Sequence, residues 1–155
     1  MQSKLNKFIL LFLLATVIGS TTYAQTAEDS VKAVVNNLFT AMKNADAILL
    51  KTVFADSAIL QTIVNTKSGK TIIRNDEVAD FIEFVSKQAR GAADEQISFG
   101  SIKIDGDLAS VWTPYKFYYN GVFSHCGVNS FQLVRLNNQW KIQYLIDTRR
   151  KINCE

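Results

Sequence analysis

The sequence predicts an α+β fold in which three helices lie on the concave face of a strongly bent antiparallel sheet, forming a cone. Two observations predict it. Residues 107–150 hold three strand-like runs rich in Val, Ile, Phe, Tyr and Trp, joined by two tight-turn signals. Residues 26–91 hold three segments whose apolar residues repeat with helical spacing. The chain of 155 residues is long enough for one domain with a sizeable core.

The three helices are predicted from their caps and apolar stripes. The first covers residues 26–44, the second is short and capped by Asp46, and the third is capped by Asn75 or Asp76. Gly91 would end the third helix. The predicted stripes are Val31, Val34, Val35, Leu38, Phe39 and Met42 in the first helix, and Val78, Phe81, Ile82 and Val85 in the third.

The strands are predicted from turn residues and alternation. Residues 58–64 and 71–73 form a first hairpin, and four antiparallel strands follow from residue 96. Asn120-Gly121 is the strongest hairpin signal, because a type I′ turn needs positive φ at both central residues. Asn137-Asn138 is a weaker signal of the same kind.

Two residues predict irregularities within these strands. Gly100 lies where the inward-facing parity of the apolar residues switches, which predicts a bulge. Pro114 lacks a backbone donor, so it predicts either an edge position or a second bulge.

The N-terminus has the pattern of a secretory signal. Lys4 and Lys7 precede an apolar run over residues 8–19, and small residues precede a cleavage site between Ala24 and Gln25. The apolar run is shorter than the roughly 20 residues that a membrane-spanning helix needs. We therefore expect a signal peptide at residues 1–24 and a mature domain at residues 25–155, periplasmic or secreted, without a stable membrane anchor.

Charge and motifs exclude several classes of function. Removal of Lys4 and Lys7 lowers the formal net charge from +3 to +1, and no basic stripe is interleaved with aromatic residues, so no nucleic-acid partner is expected. The single histidine and two cysteines have no zinc-site spacing, and no phosphate-binding glycine loop is present. Neither a metal nor a cofactor is therefore expected.

The order of the predicted elements and several short motifs resemble a known superfamily. The element order, the segment Phe54-Ala55-Asp56-Ser57-Ala58 and the closing Trp140-Lys141-Ile142 resemble the nuclear transport factor 2-like superfamily, which includes SnoaL-like cyclases and ketosteroid isomerase. His125-Cys126-Gly127 and Asp147-Thr148-Arg149 resemble a narrower group of SnoaL-like bacterial proteins. This resemblance implies the cone fold and a cavity for a small-molecule ligand.

The isomerase chemistry does not carry over to this sequence. Ketosteroid isomerase uses an aspartate base and an oxyanion hole that includes a tyrosine. On the resemblance, the base position falls on Thr62 and the tyrosine position on Leu38.

His125 is the candidate general base. With Leu136 paired to Gln139, Phe131 would face Tyr144 and Asn129 would face Ile146. His125 shares parity with Asn129 and Phe131, so it should face the apolar inner side. Asp147 would point away from His125 unless a bulge near Gly127 turned it.

Two hypotheses for these residues stay open. In the functional one, His125 is a base oriented by Asp147, and Arg149 holds a ligand anion. In the structural one, His125 bonds to backbone and Asp147 pairs with Arg149 at a strand end. The other candidate ligand-binding residues are Trp112, Tyr115, Asn129 and Tyr144.

The two cysteines also allow two hypotheses. In the predicted register Cys126 lies opposite Arg149, and the tail after it could bring Cys154 back to form a disulfide. The alternative is a free Cys126 that His125 activates as a thiolate.

Three classes of function follow from the sequence. The first is a ligand-binding cavity, with general-base chemistry at His125 of the isomerase, dehydratase or hydrolase type. The second is a non-catalytic binding module. The third is a structural homodimer whose cavity is filled by its own side chains. A homodimer is expected because several strand aromatics need burial.

Overall fold

A computed structural model describes residues 26–154 of the chain. The predicted signal peptide at residues 1–24 lies outside this range. The fold described here is that of the compact unit beginning at Val31, and residues 26–30 are helical. The described residues contain no helix that is both long and apolar enough to cross a membrane.

Three helices are present where the apolar stripes predict them. Helix α1 covers residues 26–44, α2 covers Ala47–Val53, and α3 covers Val78–Ser86. Asp46 caps α2 as predicted, since its side chain accepts a hydrogen bond of 2.9 Å from the Leu49 backbone amide.

The predicted ends of α3 are wrong at both sides. Its N-cap is Glu77, because Asn75 and Asp76 continue the preceding strand and pair with Gln61 and Leu60. The helix also ends five residues before Gly91. Gly91 instead takes a left-handed conformation with φ of +84°.

Seven strands form one sheet within the described residues. They are β1 Phe54–Asn65, β2 Thr71–Asp76, β3 Ala93–Ile97, β4 Ser101–Asp105, β5 Leu108–Tyr119, β6 Val122–Leu136 and β7 Gln139–Arg150. The order is β2-β1-β7-β6-β5-β3, and β4 pairs with β5 beyond the end of β3. The two ends of this order do not pair, so the sheet is open.

The prediction of an entirely antiparallel sheet is wrong, because β1 and β7 pair in parallel. All the other pairs are antiparallel. The turn signals identified pairs of strands that are consecutive in the sequence. No turn joins β1 to β7, which have most of the domain between them, so their relative direction had no local signal. The α+β architecture with three helices is confirmed.

The two predicted tight turns are confirmed by their backbone angles. Asn120 and Gly121 have φ of 52° and 76°, and Asn137 and Asn138 have φ of 49° and 63°. All four values are positive, as a type I′ turn requires. These turns join β5 to β6 and β6 to β7, so they position three long, adjacent strands of the sheet.

The predicted bulge at Gly100 is also confirmed. Ile97 pairs with Tyr115 and Ser101 pairs with Trp112, so the chain between β3 and β4 has one residue more than the facing part of β5. Pro114 lies opposite this break, inside the sheet and not at its edge. Its carbonyl still accepts a bond from the Ser98 amide at 3.0 Å, while its missing donor is not needed there.

The helices pack on one face of the sheet, which we call the inner face. A row of paired apolar residues crosses four strands on this face: Val111, Phe131, Leu145 and Leu60. We call it the apolar row. Phe39 of α1 meets Phe131 edge to face at 6.2 Å between ring centres, and Leu38, Leu50 and Val85 belong to the same core.

Candidate functional site

A cavity of about 490 Å³ lies between the helices and the inner face. Its helical wall comes from α1 and α3 and is apolar apart from Asp80. The apolar residues of this wall are Leu38, Phe39, Met42, Phe81, Phe84 and Val85. Its opposite wall comes from the strands and carries most of the polar residues of the lining, among the apolar Leu60, Phe117 and Leu145. The cavity is therefore shaped for a molecule with an apolar body and a polar group.

A bulge in β7 determines which residues form the polar wall. Leu133 pairs with Ile142 but Gln132 pairs with Tyr144, so Gln143 is an extra residue. The shift makes Phe131 face Leu145 and Asn129 face Asp147. The predicted partners, Tyr144 and Ile146, are each wrong by one residue. Asp147 consequently points into the cavity, although the bulge that turns it is not near Gly127.

Four buried polar residues occupy paired positions next to the apolar row. They are Thr113, Asn129, Asp147 and Thr62, and we call them the polar row. Their exposed fractions lie between 0% and 8%. Burial of polar groups is costly unless they are hydrogen-bonded. Within the described part of the chain, every buried side-chain polar atom has a hydrogen-bond partner.

Asp147 is the centre of this hydrogen-bond network. Its Oδ1 accepts from the Thr62 hydroxyl at 2.6 Å. Its Oδ2 accepts from Arg149 Nε at 2.8 Å and from the Tyr115 hydroxyl at 3.2 Å. Burial would lower the pKa of Arg149, but the hydrogen bond and the charge of Asp147 outweigh it, so the pKa is raised and the guanidinium stays charged.

Gly127 makes the position of Tyr115 possible. A Cβ atom at Gly127 would lie 1.8 Å from the Thr148 carbonyl oxygen and 2.9 Å from the Tyr115 ring. Only glycine therefore lets the two strands and the ring approach this closely. The Tyr115 hydroxyl also donates to that carbonyl at 2.9 Å. Burial and the charges of Asp147 and Glu95 raise the pKa of Tyr115, so it stays a neutral donor.

Glu95 is a site residue that the sequence prediction missed. It lies on β3 opposite Phe117, and its Oε1 accepts a bond of 2.8 Å from the Asn129 amide. Burial raises the pKa of Glu95 from 4.5 to about 7. A signal existed in the sequence, because Glu95 shares its strand parity with the inward-facing Ile97.

His125 also faces the cavity, from β6. It pairs with Phe117, and its ring lies 5.1 Å from the Phe117 ring and 5.7 Å from the Tyr115 ring. Ser124, the extra residue of a bulge in β6, shares a hydrogen bond of 3.0 Å with Nδ1 of His125. Burial and the charge of Arg149 lower the pKa of His125, so the ring is neutral at pH 7.

The predicted pair of His125 and Asp147 is not formed. Asp147 bonds to Thr62, Tyr115 and Arg149, whereas the hydrogen bond of His125 is to Ser124. Asp147 and Arg149 pair with each other, as the structural hypothesis expects. His125 does not bond to backbone in the way that hypothesis expects.

The predicted disulfide is present between Cys126 and Cys154, with Cα atoms 5.8 Å apart. Cys126 lies opposite Arg150, one residue from the predicted position, because of the bulge at Gln143. The described residues include no free cysteine, so the alternative of a Cys126 thiolate is wrong. The bridge ties the tail to β6 directly beside His125.

Comparisons with known proteins give structural matches but no sequence family. No protein-family model matches the chain, and no curated protein matches it. A protein of unknown function from Silicibacter pomeroyi, described as NTF-2 like, is similar with a TM-score of 0.64 and 16% identity, covering 82% of this chain and 98% of that one. A similar protein of unknown function from Shewanella baltica gives 0.62 and 15%, covering 83% and 96%. A domain of unknown function from Nostoc punctiforme, described as having a cystatin-like fold, gives 0.62 and 14%, covering 81% and 78%.

The fold is nuclear transport factor 2-like. At these identities the likeness shows the fold alone. The neighbours are themselves of unknown function, so they assign no activity to this chain.

The two positions that correspond by resemblance to the catalytic base and tyrosine of ketosteroid isomerase both lie at the cavity. Thr62 and Leu38 line it, on opposite walls. Among the predicted ligand-binding residues, Tyr115, Asn129 and Arg149 also line it.

Trp112 and Tyr144 do not line the cavity, so the prediction that they contact a cavity ligand is corrected here. Trp112 is 48% exposed and its ring lies beside Gly100, on the opposite face of β5 from Tyr115 and Val111. Tyr144 precedes Leu145 on β7 and bonds to Gln61 at 2.6 Å on the outer face. Within the described residues, no group of three or more His, Cys, Asp or Glu could hold a metal ion.

Proposed function

We propose that the protein binds a small, largely apolar molecule in the cavity. The observation that carries this proposal is the cavity itself, with one apolar wall and one polar wall. Its volume of about 490 Å³ lies in the range of about 300 to 1,000 Å³ that is usual for small-molecule sites. Because this space is open, the hypothesis of a cavity filled by its own side chains is not supported.

His125 is the proposed general base at this site. A neutral imidazole can accept a proton, and its Nδ1 is engaged by Ser124, which leaves Nε2 for a ligand. The reaction would be of the isomerase, dehydratase or hydrolase type. Non-catalytic binding in the same cavity is the alternative, and it uses the same walls without turnover.

The ligand proposal is tested with a neutral fluorescent probe, N-phenyl-1-naphthylamine, whose emission rises in apolar surroundings. Leu145→Trp should fill part of the cavity and weaken probe binding at least tenfold. Ile146→Trp is the matched control, because Ile146 is its neighbour on the opposite face of β7 and does not line the cavity. Equal binding by both variants would contradict the proposal.

The role of His125 is tested separately with His125→Ala. We expect loss of turnover of a cavity substrate, or weaker binding of the probe, with little change in the free energy of unfolding. His125→Gln keeps a hydrogen-bonding side chain and is the control for shape. If His125→Ala unfolds the protein, the ring acts in packing only.

Export and dimerisation are part of the proposal. The disulfide between Cys126 and Cys154 supports an oxidising compartment such as the periplasm or the cell exterior. The mass of protein recovered from the native host should correspond to an N-terminus at Gln25, and a chain retaining Met1 would contradict export. Light scattering of the mature protein should give twice the chain mass, and a monomer would contradict the homodimer.

A further inference from the structure

We propose that the cavity selects a cationic ligand, a small amine on an apolar body, whose ammonium group binds at Glu95. This inference rests on the proposed function, because it names the class of molecule that the same cavity takes. It is carried by the charges, the hydrogen bonds and the aromatic rings of the cavity wall.

Acidic groups outnumber basic ones in the cavity lining. Two arginines, Arg74 and Arg149, are the basic residues of the lining within the described chain. The lining also contains five carboxyl groups, from Asp76, Glu77, Asp80, Glu95 and Asp147. An excess of negative charge beside a wall of low dielectric constant, which here is the helical wall, favours ligands of the opposite charge.

Both arginines are already paired with an aspartate of the same lining. Arg74 contacts both carboxylate oxygens of Asp76, at 3.1 and 3.0 Å. Arg149 donates to Asp147 through Nε and to Thr62 through its terminal nitrogen at 3.2 Å. Among the described residues, three carboxyl groups of the lining therefore have no ion-pair partner: those of Glu77, Asp80 and Glu95. The earlier hypothesis that Arg149 holds a ligand anion would put that anion beside Asp147.

Glu95 is the carboxyl group best placed to meet a ligand. One oxygen, Oε1, accepts from Asn129, and the described residues offer no partner to Oε2. No buried side-chain oxygen in the described part of the chain lacks a partner, so Oε2 must be accessible, and the accessible space beside Glu95 is the cavity. Phe117 faces Glu95 from β5, and Tyr119 lines the cavity two residues further along. Aromatic faces attract an ammonium group, so they would add to the attraction of the carboxylate.

The affinity for a cationic ligand should depend on pH, because Glu95 titrates. Charged and titratable groups of the same lining come from five elements: Arg74 and Asp76 of β2, Tyr115 and Tyr119 of β5, His125 of β6, Asp147 and Arg149 of β7, and Asp80 of α3, with Glu77 as its N-cap. Burial holds the pKa of Glu95 at about 7 in the empty cavity. A bound ammonium favours the carboxylate, so binding would release a proton from Glu95. The affinity should therefore rise about tenfold between pH 6 and pH 8.

The experiment compares three probes that share a naphthalene body, using calorimetry on the mature protein. The probes are 1-naphthylmethylamine, 1-naphthalenemethanol and 1-naphthoic acid. At pH 8 the amine should bind at least tenfold more tightly than the alcohol, and the acid should bind most weakly. Only the amine should gain affinity between pH 6 and pH 8.

Glu95→Gln should reduce the affinity for the amine to that for the alcohol and remove the pH dependence. Asp94→Asn is the matched control, because Asp94 is the adjacent residue, pairs with Lys43 and does not line the cavity. It should leave all three affinities unchanged, and thermal melts should show that both variants are folded.

The outcomes separate this inference from the proposed function. If the alcohol or the acid binds more tightly than the amine, the inference is overturned and the small-molecule cavity stands. The same conclusion follows if the amine keeps its advantage in Glu95→Gln. If none of the three probes binds but N-phenyl-1-naphthylamine does, the inference alone is overturned. If N-phenyl-1-naphthylamine does not bind either, the proposed function is overturned together with the inference.

Discussion

Two neighbouring rows of residues on the inner face of the sheet are similarly buried but are stabilised by different interactions. The apolar row and the polar row come from the same four strands, two residues apart on each. Phe131 in the first and Thr113 in the second are both fully buried. The apolar row is stabilised by packing against α1, whereas the polar row is stabilised by hydrogen bonds centred on Asp147.

This difference in stabilising interactions indicates that the polar row has a role beyond folding. An apolar row needs only the right volume, and swaps of similar size are tolerated. A buried polar row needs every partner in place, because one missing bond leaves a desolvated group. Four adjacent polar residues beside the apolar row are therefore best explained by the cavity, because Thr62, Asn129 and Asp147 line it and the Thr113 hydroxyl accepts from Asn129.

The largest expected effect is at the centre of the apolar row. Phe131→Ala should lower the free energy of unfolding by about 3 to 5 kcal/mol, because it leaves a cavity in the packed core. Urea denaturation measures the change. Phe123→Ala is the matched control on the same strand, since Phe123 is 40% exposed, and it should cost less than about 1 kcal/mol. Similar losses at both positions would mean that packing of this row is not what stabilises the domain.

The next effect is a pH dependence at Glu95, beside the polar row. Its pKa is 4.5 as an ordinary glutamate and about 7 in the fold, so between these values the folded state binds more protons than the unfolded state. The free energy of unfolding should therefore fall as the pH rises from 4.5 to 7, by on the order of 3 kcal/mol, and then level off. Urea denaturation at pH 5 and pH 8 measures the slope.

Glu95→Gln should remove most of this slope and be the more stable protein at pH 8. Glu83→Gln, at a largely exposed position on α3, is the matched control and should follow the unaltered protein. A slope that survives in Glu95→Gln would place its origin at another residue.

The sequence predicted the apolar row better than the polar one. Helical stripes such as that of Val31, Val35 and Leu38 and the turns at Asn120 and Asn137 are local patterns, and local patterns can be read from a single chain. The bulge at Gln143 has no such pattern, because apolar residues occupy both parities of β7 around it. The predicted strand alternation therefore turned Asp147 outward.

Two other features were not predicted, each for a different reason. The parallel pairing of β1 with β7 joins distant segments, and it is what brings Thr62 next to Asp147. Glu95 could have been predicted from its parity with Ile97. Glu95 belongs to no familiar catalytic motif, and its raised pKa comes from burial, which a motif does not show.

Within the polar row, Asp147→Ala should cost about 2 kcal/mol of unfolding free energy. The change removes the acceptor of two hydroxyls and of Arg149, and hydrogen bonds to charged groups are worth about 1.5 to 3 kcal/mol. The loss stays moderate because the Arg149 side chain is 44% exposed and water can solvate it. Asp76→Ala breaks the more exposed pair with Arg74 and should cost less than about 1 kcal/mol. Equal losses would mean that burial adds nothing to the network.

The smallest expected effect separates the hydrogen bond from the shape of the polar row. Thr62→Val keeps the branched side chain but removes the hydroxyl that donates to Asp147 at 2.6 Å, and it should cost about 1 kcal/mol. Thr113→Val is the matched control, since the Thr113 hydroxyl accepts one long bond of 3.3 Å from the neutral Asn129 amide, and it should cost only about 0.5 kcal/mol. Thr62→Val should also make the Arg149 side chain less ordered, because the terminal nitrogen of Arg149 loses an acceptor. Denaturation of both variants at pH 7 compares the two losses directly. If the two losses are equal, the charge of Asp147 does not strengthen its hydrogen bond to Thr62.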